Sequence, residues 1–241
     1  MAKWKERAVL LFKEEGIQKL ENANVLVVGL GGVGSFAAEF LARAGVGNMT
    51  IVDGDIVDIT NINRQLPALH STVGQPKVKI VGDRLLDINP ELKLTRIEEF
   101  LSPERAYELV SNEFDYVLDC IDSVTPKLNL IIACKRKKVK VISNMGAGGK
   151  YEAEKVCVRD ISKTEYCPLA KNVRKRLKEA GISKGVKVVY SFERPDYSSI
   201  KTTDGTNFKK SFYGTNSWMP ALFGLHAAET VVKHLIGKVK N

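Results

Sequence analysis

The chain has 241 residues, 44% of them hydrophobic and 27% charged, the size and balance of one large globular domain with a substantial core. No apolar run reaches the roughly 18 residues of a membrane-spanning helix, and Glu and Lys interrupt the N-terminal apolar stretch, so neither a membrane span nor a secretory signal is expected. Net charge is +9 but unevenly placed, with −6 over residues 1–124 and +15 over residues 125–241. The second half therefore suits a polyanionic partner, although a plain lysine-rich solvated surface has the same composition.

From the N-terminus, Val9, Leu10, Phe12, Ile17 and Leu20 predict one helix or two short helical pieces. "VLVVG" then reads as a buried strand, Val33 to Ala44 as a helix opening on glycines, and "MTIVD" as a second strand. Lys77 to Ile88 is a helix closed by Asn89-Pro90, "LKLTRI" a third strand, 103–111 a helix, "DYVLD" a fourth strand, 126–138 a helix and "VKVIS" a fifth strand. Strand and helix in alternation predict a doubly wound, Rossmann-like α/β fold on a mainly parallel sheet.

After Gly146 the pattern changes. "AEKVCVRD" and "GVKVVYS" read as strands added antiparallel to the sheet edge, flanking a helix that starts near Pro168 and stops at Gly181. Leu169, Val173 and Leu177 line one side of that helix, so Lys171, Arg174, Lys175 and Lys178 are expected on another. Residues 195–217 are polar without a clear period, and "PALFGLHAAETVVKHLIG" (220–237) closes the chain as an apolar helix. Tyr197, Phe208, Phe212 and Tyr213 interleave with basic residues in the polar stretch. They suit stacking on bases and pinning of the loop to the body equally well.

The chemistry concentrates at strand ends. Gly29, Gly31 and Gly34 in "GLGGVGS" satisfy G-x-G-x-x-G, and Asp53 closes the second strand. That pattern holds NAD in dehydrogenases, but it holds other nucleotides too. Just beyond, Asn61, Asn63, Arg64 and Gln65 form a polar cluster, Lys77 opens a helix, and Asp122 follows the fourth strand. Arg and Lys at a helix N-terminus favour phosphate oxygens, and a carboxylate in the same crevice suits Mg²⁺. Such a set serves a polyphosphate better than NAD. The histidines (70, 226 and 234) all fall on helical or helix-entry segments and offer no hydride-transfer site. The cysteines (120, 134, 157 and 167) contain no Cys-x-x-Cys pair. They argue against a zinc site and fit a reducing, cytoplasmic setting. Cys167, ahead of Pro168, is either a nucleophile at a helix N-terminus or a small packing residue.

Together "GLGGVGS", "TNINRQ", "VGQPK" and "DCIDS" resemble the adenylating core of the ubiquitin-activating enzyme superfamily, which includes the bacterial activators of sulfur-carrier proteins. The resemblance implies that Gly29, Gly31, Gly32 and Gly34 cradle ATP, that Asp53 holds its ribose, and that Asp55 and Gln65 belong to the same site. It further implies that Asn61, Arg64 and Lys77 bind phosphates and that Asp122 works with Mg²⁺ at the reacting α-phosphate. Arg7 matches an N-terminal arginine that crosses a homodimer into the partner's ATP. The chain lacks the paired Cys-x-x-Cys of the sulfur-carrier activators. Its "ISNMGAGGK", "DISKTEYCPLAKNVRKRLKEAGI" and "VKVVYSFERP" resemble instead the branch of threonylcarbamoyladenosine dehydratases, which cyclise a modified adenosine beside the tRNA anticodon. That resemblance divides the chain into a helical arm (1–24), an ATP-binding adenylation core (25–150) and a basic elaboration for substrate and dimerisation (151–241). Lys171, Arg174, Lys175 and Lys178 are then expected to contact tRNA.

The expected activity is thus ATP-dependent cyclisation through a carboxyl-adenylate, with Arg64, Lys77, Asp122 and Arg7 as the catalytic set. A carrier-protein adenylyltransferase and an NAD-dependent dehydrogenase are the alternatives, and a non-catalytic nucleotide sensor is a further one. A sulfur-transfer partner and a monovalent cation (Na⁺ or K⁺) on backbone carbonyls of the C-terminal part stay open at this point.

Overall fold

The computed structural model describes residues 2–202 and 211–238, so Phe208 lies outside the described residues. Helix α1 (Glu6–Asn22) breaks at Lys13, whose φ is 65°, into the two pieces the sequence allowed. Strand β1 (Asn24–Val28) follows, then α2 (Gly34–Ala44), β2 (Asn48–Val52), α3 (Lys77–Ile88), β3 (Lys93–Ile97) and α4 (Pro103–Leu109). Next come β4 (Tyr116–Asp119), α5 (Val124–Arg136), β5 (Val141–Asn144), β6 (Val156–Asp160), α6 (Pro168–Glu179) and β7 (Lys187–Ser191). A two-stranded ribbon, β8 (Ile200–Thr202) with β9 (Ser211–Tyr213), precedes the last helix, α7 (Trp218–Leu235).

Seven strands form one sheet in the order β3-β2-β1-β4-β5-β7-β6. Alternation along each strand sends residues to opposite cores. Val25 and Val27 face α1, α2, α3 and α7, while Leu26 and Val28 face α4 and α5. A third cluster joins α5, α6 and β7 through Leu128, Ile131, Val173, Leu177 and Val188. Strand order reverses between β1 and β4, and such a reversal opens a crevice at the carboxyl ends of the strands. Among the described residues no helix is long and apolar enough to cross a membrane.

Several boundaries and one direction differ from the sequence reading, among them β6, which starts at Val156 and not at Ala153, and α7, which starts at Trp218 and not at Pro220. Helix α5 starts two residues early, at Val124, because Pro126 sits in the first turn, where its missing N–H has no intrahelical partner to lose. It stops at Arg136, since Lys138 turns to φ 59°. Helix α4 ends at Leu109, ahead of an extended Val110. Strand β7 is parallel to β5, and only β6 is antiparallel. The cause is the path between them. Asp160 ends β6 opposite Lys187, the chain returns so that Cys167 meets Gly146 beyond β5, and α6 then runs back down to start β7 in the parallel sense. The C-terminal elaboration thus extends the same sheet.

Helix α7 lies against α2 so closely that a Cβ on Gly224 would stand 2.5 Å from the Val33 carbonyl oxygen. Gly224→Leu must therefore separate the two helices. Its expected cost is about 1–3 kcal/mol, read as a lower urea midpoint at unchanged m.

Candidate active site at the strand ends

The turn after β1 is built from glycine for geometric reasons. Gly29 adopts φ +89°, and a Cβ on Gly34 would fall 1.7 Å from the Gly29 carbonyl oxygen. The turn feeds directly into α2, so the positive end of that helix faces the crevice. Asp53 stitches the neighbouring strand to the turn. Its Oδ2 accepts from the Leu30 amide at 2.5 Å, and its Oδ1 accepts from the Asp55 amide at 2.7 Å. Burial pushes the Asp53 carboxyl up, opposed by the Lys77 ammonium and by those two amides. Asp53 is thus a structural tie as well as the residue expected at a ribose.

The segment after β2 presents the cationic groups. Asp58 caps a 3₁₀ turn over Ile59–Asn61, and the buried Asn61 returns its Oδ1 to the Asp58 amide. Arg64 donates to the Thr60 carbonyl and to Asn63 Oδ1, both at 2.9 Å. Partial burial pulls the Arg64 guanidinium below its usual value, while the nearby Asp122 and Asp58 carboxylates oppose that shift. Arg64 and Asp122 thus lie in one electrostatic neighbourhood, although one follows β2 and the other β4. Lys77 is buried at the start of α3, with its Nζ 2.9 Å from Asp55 Oδ2.

A nucleotide fits the acceptors left over. Gln65 Oε1 and Asn144 Oδ1 are buried with no hydrogen-bond partner among the described residues. The Gln65 carboxamide sits 3.6 Å from where a Gly31 Cβ would be, beside the turn. An orphaned acceptor by the glycine turn and another at the end of β5 match hydroxyl and amino donors of a ligand, because leaving them unpaired costs about 1–3 kcal/mol each.

Behind Asp122 lies a network that the sequence reading missed. Lys127 and Asp119 are both fully buried, with Nζ 2.7 Å from Oδ2. Lys127 also donates to Ser143 Oγ at 3.2 Å and to the Asn144 carbonyl at 2.8 Å. Asp119 Oδ1 accepts from the Ile121 amide at 3.1 Å, one residue before Asp122. The signal was the Asp ending a strand too apolar to leave it solvated, but its partner comes from the next helix, which periodicity does not reveal.

The remaining expected residues divide. Lys171, Lys175 and Lys178 stand exposed on α6. Arg174 turns inward instead, donating to the Thr164 carbonyl at 2.9 Å and to Thr164 Oγ1. Cys167 is buried, and its Sγ accepts from the Ala170 amide as the cap of α6, which is the behaviour of a packing residue. Arg7 is exposed at the opposite end of the sheet. Its neighbour Lys5 pairs with Glu21 at 2.7 Å and Glu91 at 3.3 Å, just before β1 and β3. Nearby Leu11 accepts from Lys238, past the end of α7. The other end of α7 touches the glycine turn through Pro220 and Gly32, about 27 Å away for a helix of that length. Within one chain, Arg7 and the crevice are not brought together.

A parallel sheet with a glycine turn, a carboxylate and two cations at its reversal point defines a nucleotide-binding α/β protein that handles phosphates. The profile of the ThiF family matches residues 5–241. The chain is 41% identical to the tRNA threonylcarbamoyladenosine dehydratase of Bacillus subtilis, covering 97% of this chain and 95% of that one. The crystal structure of the Escherichia coli tRNA N6-threonylcarbamoyladenosine dehydratase TcdA in complex with ATP superposes with a TM-score of 0.89 at 36% identity, over 99% of this chain and 97% of that one. The molybdopterin-synthase adenylyltransferase of E. coli is 40% identical, but over 59% of this chain and 56% of its own length. The chain belongs to the ThiF family, and the relatives it matches over nearly their whole length include the tRNA threonylcarbamoyladenosine dehydratases of B. subtilis and E. coli.

Lys127→Met should leave the Asp119 charge buried and alone, destabilising the protein by about 3–5 kcal/mol in denaturant titration. The double change Lys127→Met with Asp119→Leu should recover much of that loss. A double variant no more stable than the single one contradicts an ionised pair.

Proposed function

We infer that the protein is an ATP-dependent tRNA threonylcarbamoyladenosine dehydratase. The observation that carries this reading is the grouping of Arg64, Lys77 and Asp122 around an acceptor-lined glycine turn, on a chain that matches dehydratases from end to end. A carrier adenylyltransferase shares the core but matches little more than half of the chain. An NAD-dependent dehydrogenase has no use for the paired cation and carboxylate at the crevice.

The substrate carboxylate is a poor electrophile, because its leaving group would be oxide. Its oxygen attacks the α-phosphorus of ATP, and the bond to the bridging oxygen breaks to release pyrophosphate. A nitrogen of the neighbouring carbamoyl group then attacks the acyl carbon, loses its proton and expels AMP. The RNA has lost one water and ATP has become AMP and pyrophosphate. Ring closure is intramolecular, so conformation and charge stabilisation suffice and no nucleophilic cysteine is needed. The buried Cys167 is consistent with that.

Arg64 and Lys77 neutralise phosphate charge; Lys77 reaches it by exchanging Asp55, itself half exposed, for the triphosphate. Among the described residues no group of three or more His, Cys, Asp or Glu is placed to hold a metal. Mg²⁺ would therefore be shared between Asp122 and phosphate oxygens, the usual arrangement for this ion, and would supply charge neutralisation. Asp122→Ala and Arg64→Ala are each expected to lower turnover about 10²–10³-fold while tRNA affinity holds. Either variant turning over at the wild-type rate sinks the assignment.

The distance of Arg7 from its own crevice supports a homodimer in which Arg7 of a second copy completes the site. The surface there is apolar enough for such a contact, with Leu10 71% and Leu11 64% exposed. Arg7→Ala and Arg64→Ala homodimers should each be nearly inactive. Mixing and refolding them together should restore about a quarter of wild-type turnover, because half of the dimers are mixed and one site of two is intact in each. No restoration means that Arg7 does not act across the dimer. The expected setting is the cytoplasm.

A further inference from the structure

The ribbon of β8 and β9 is docked onto the nucleotide crevice by backbone contacts. The Gly149 amide donates to the Gly214 carbonyl at 2.8 Å, and the Asp196 amide donates to the Gly149 carbonyl at 2.7 Å. Asn63, which holds Arg64, donates its Nδ2 to the Thr215 carbonyl at 2.9 Å. The ribbon is therefore a wall of the site that holds the phosphate-binding cluster.

Register separates its aromatic residues by role. Ile200 pairs with Tyr213, and Lys201 pairs with Phe212. Residues directly opposite share a face, and successive residues alternate. Tyr213 thus faces the body, where it packs on Gly148 and Gly149. Phe212 and Lys201 project together from the other face, with Phe212 41% exposed. Tyr197 is 61% exposed and is braced edge-on by Tyr213, with ring centroids 6.2 Å apart. Alongside, the Arg194 guanidinium covers the ring of Tyr166 at 4.8 Å, immediately before α6 begins. Lys171 and Lys175 stand exposed on α6, the helix that follows Tyr166, and add positive charge there.

We propose that Tyr197, Phe212 and the Tyr166–Arg194 pair form a stacking platform for the unpaired nucleotides that flank the adenosine being modified, with Lys201, Lys171 and Lys175 on their phosphates. The proposal rests on the dehydratase reading and adds to it where the RNA lies. Three features favour single-stranded RNA over an apolar partner. The rings are separate and rimmed by cations, so they offer π-faces without a continuous greasy patch. The reacting carboxylate must enter the crevice, so its neighbours in the strand have to cross the rim. An unpaired loop exposes base faces that a duplex hides. Tyr213 is the brace and does not stack on a base.

The test uses the full-length enzyme and a synthetic anticodon stem-loop carrying threonylcarbamoyladenosine, with 2-aminopurine at the flanking position. Tyr197→Ala and Phe212→Ala should each weaken binding about tenfold, and together about a hundredfold. The KM for RNA should rise in step, while kcat at saturating RNA and affinity for ATP stay unchanged. Tyr197→Phe and Phe212→Tyr should restore binding. Unaltered RNA affinity in a folded double alanine variant overturns the platform while leaving the dehydratase reading intact. A double variant with altered oligomeric state and unaltered RNA affinity assigns the face to a second copy, and overturns the platform too. A wild-type enzyme that neither binds nor dehydrates the stem-loop overturns both readings together.

Discussion

An ion pair with no exposed surface, Lys127 on Asp119, fixes the part of the molecule on which the chemistry depends. It joins the end of β4, the first turns of α5 and the end of β5 through three polar side chains and one carbonyl. Two charges withdrawn from water are costly unless their remaining hydrogen bonds are satisfied, and here Ser143, Asn144 and the Ile121 amide satisfy them. The consequence is local rigidity at the loop bearing Asp122. In the role proposed for Asp122, beside an ion and a phosphate, a carboxylate gains from being held before the ligand arrives.

The other side of the crevice is organised by a similar device on a smaller scale. Asp53 ties the glycine turn to β2, and Asp55 holds Lys77 in reserve. Each charged residue at the site therefore has a protein partner that a nucleotide can replace or join. This placement reconciles a high local density of cations with a stable fold. Within the acidic half, Asp55 and Asp119 pair with Lys77 and Lys127 beside the crevice, while the basic half carries Lys171, Lys175 and Lys178 outward on α6.

Much of the fold was legible because the central strands β1, β2, β4 and β5 are buried on both faces and the helices are amphipathic. The elements from Val25 to Ser143 follow in the expected order, with differences of one to two residues at their ends, as where Val110, Pro126 and Lys138 decide. The direction of β7 was not legible, since it follows from the return of residues 161–167, which carry no periodic signal. The polar stretch 195–217 gave no period because its strands have three residues each. Of the candidate site, the glycines, Arg64, Lys77 and Asp122 stood out by chemistry at strand ends. Lys127 did not, because a lysine in a helix reads as solvated surface until its partner is known. Arg174 failed for the complementary reason: its spacing put it with the exposed lysines, whereas Thr164 draws it inward.

The relation to carrier-protein adenylyltransferases has a simple physical form. Both reactions begin by converting a carboxylate to an acyl-adenylate, and the shared core is what that step requires. They part at the acceptor, which is a second molecule in one case and the substrate's own nitrogen in the other. The most direct test is mass spectrometry of nucleosides from tRNA bearing open threonylcarbamoyladenosine after incubation with the protein and Mg²⁺-ATP. The account predicts that the modified nucleoside loses the mass of one water, only with ATP, and with one AMP formed per conversion. An unchanged nucleoside, with pyrophosphate exchange appearing only when a small carrier protein is supplied, contradicts it.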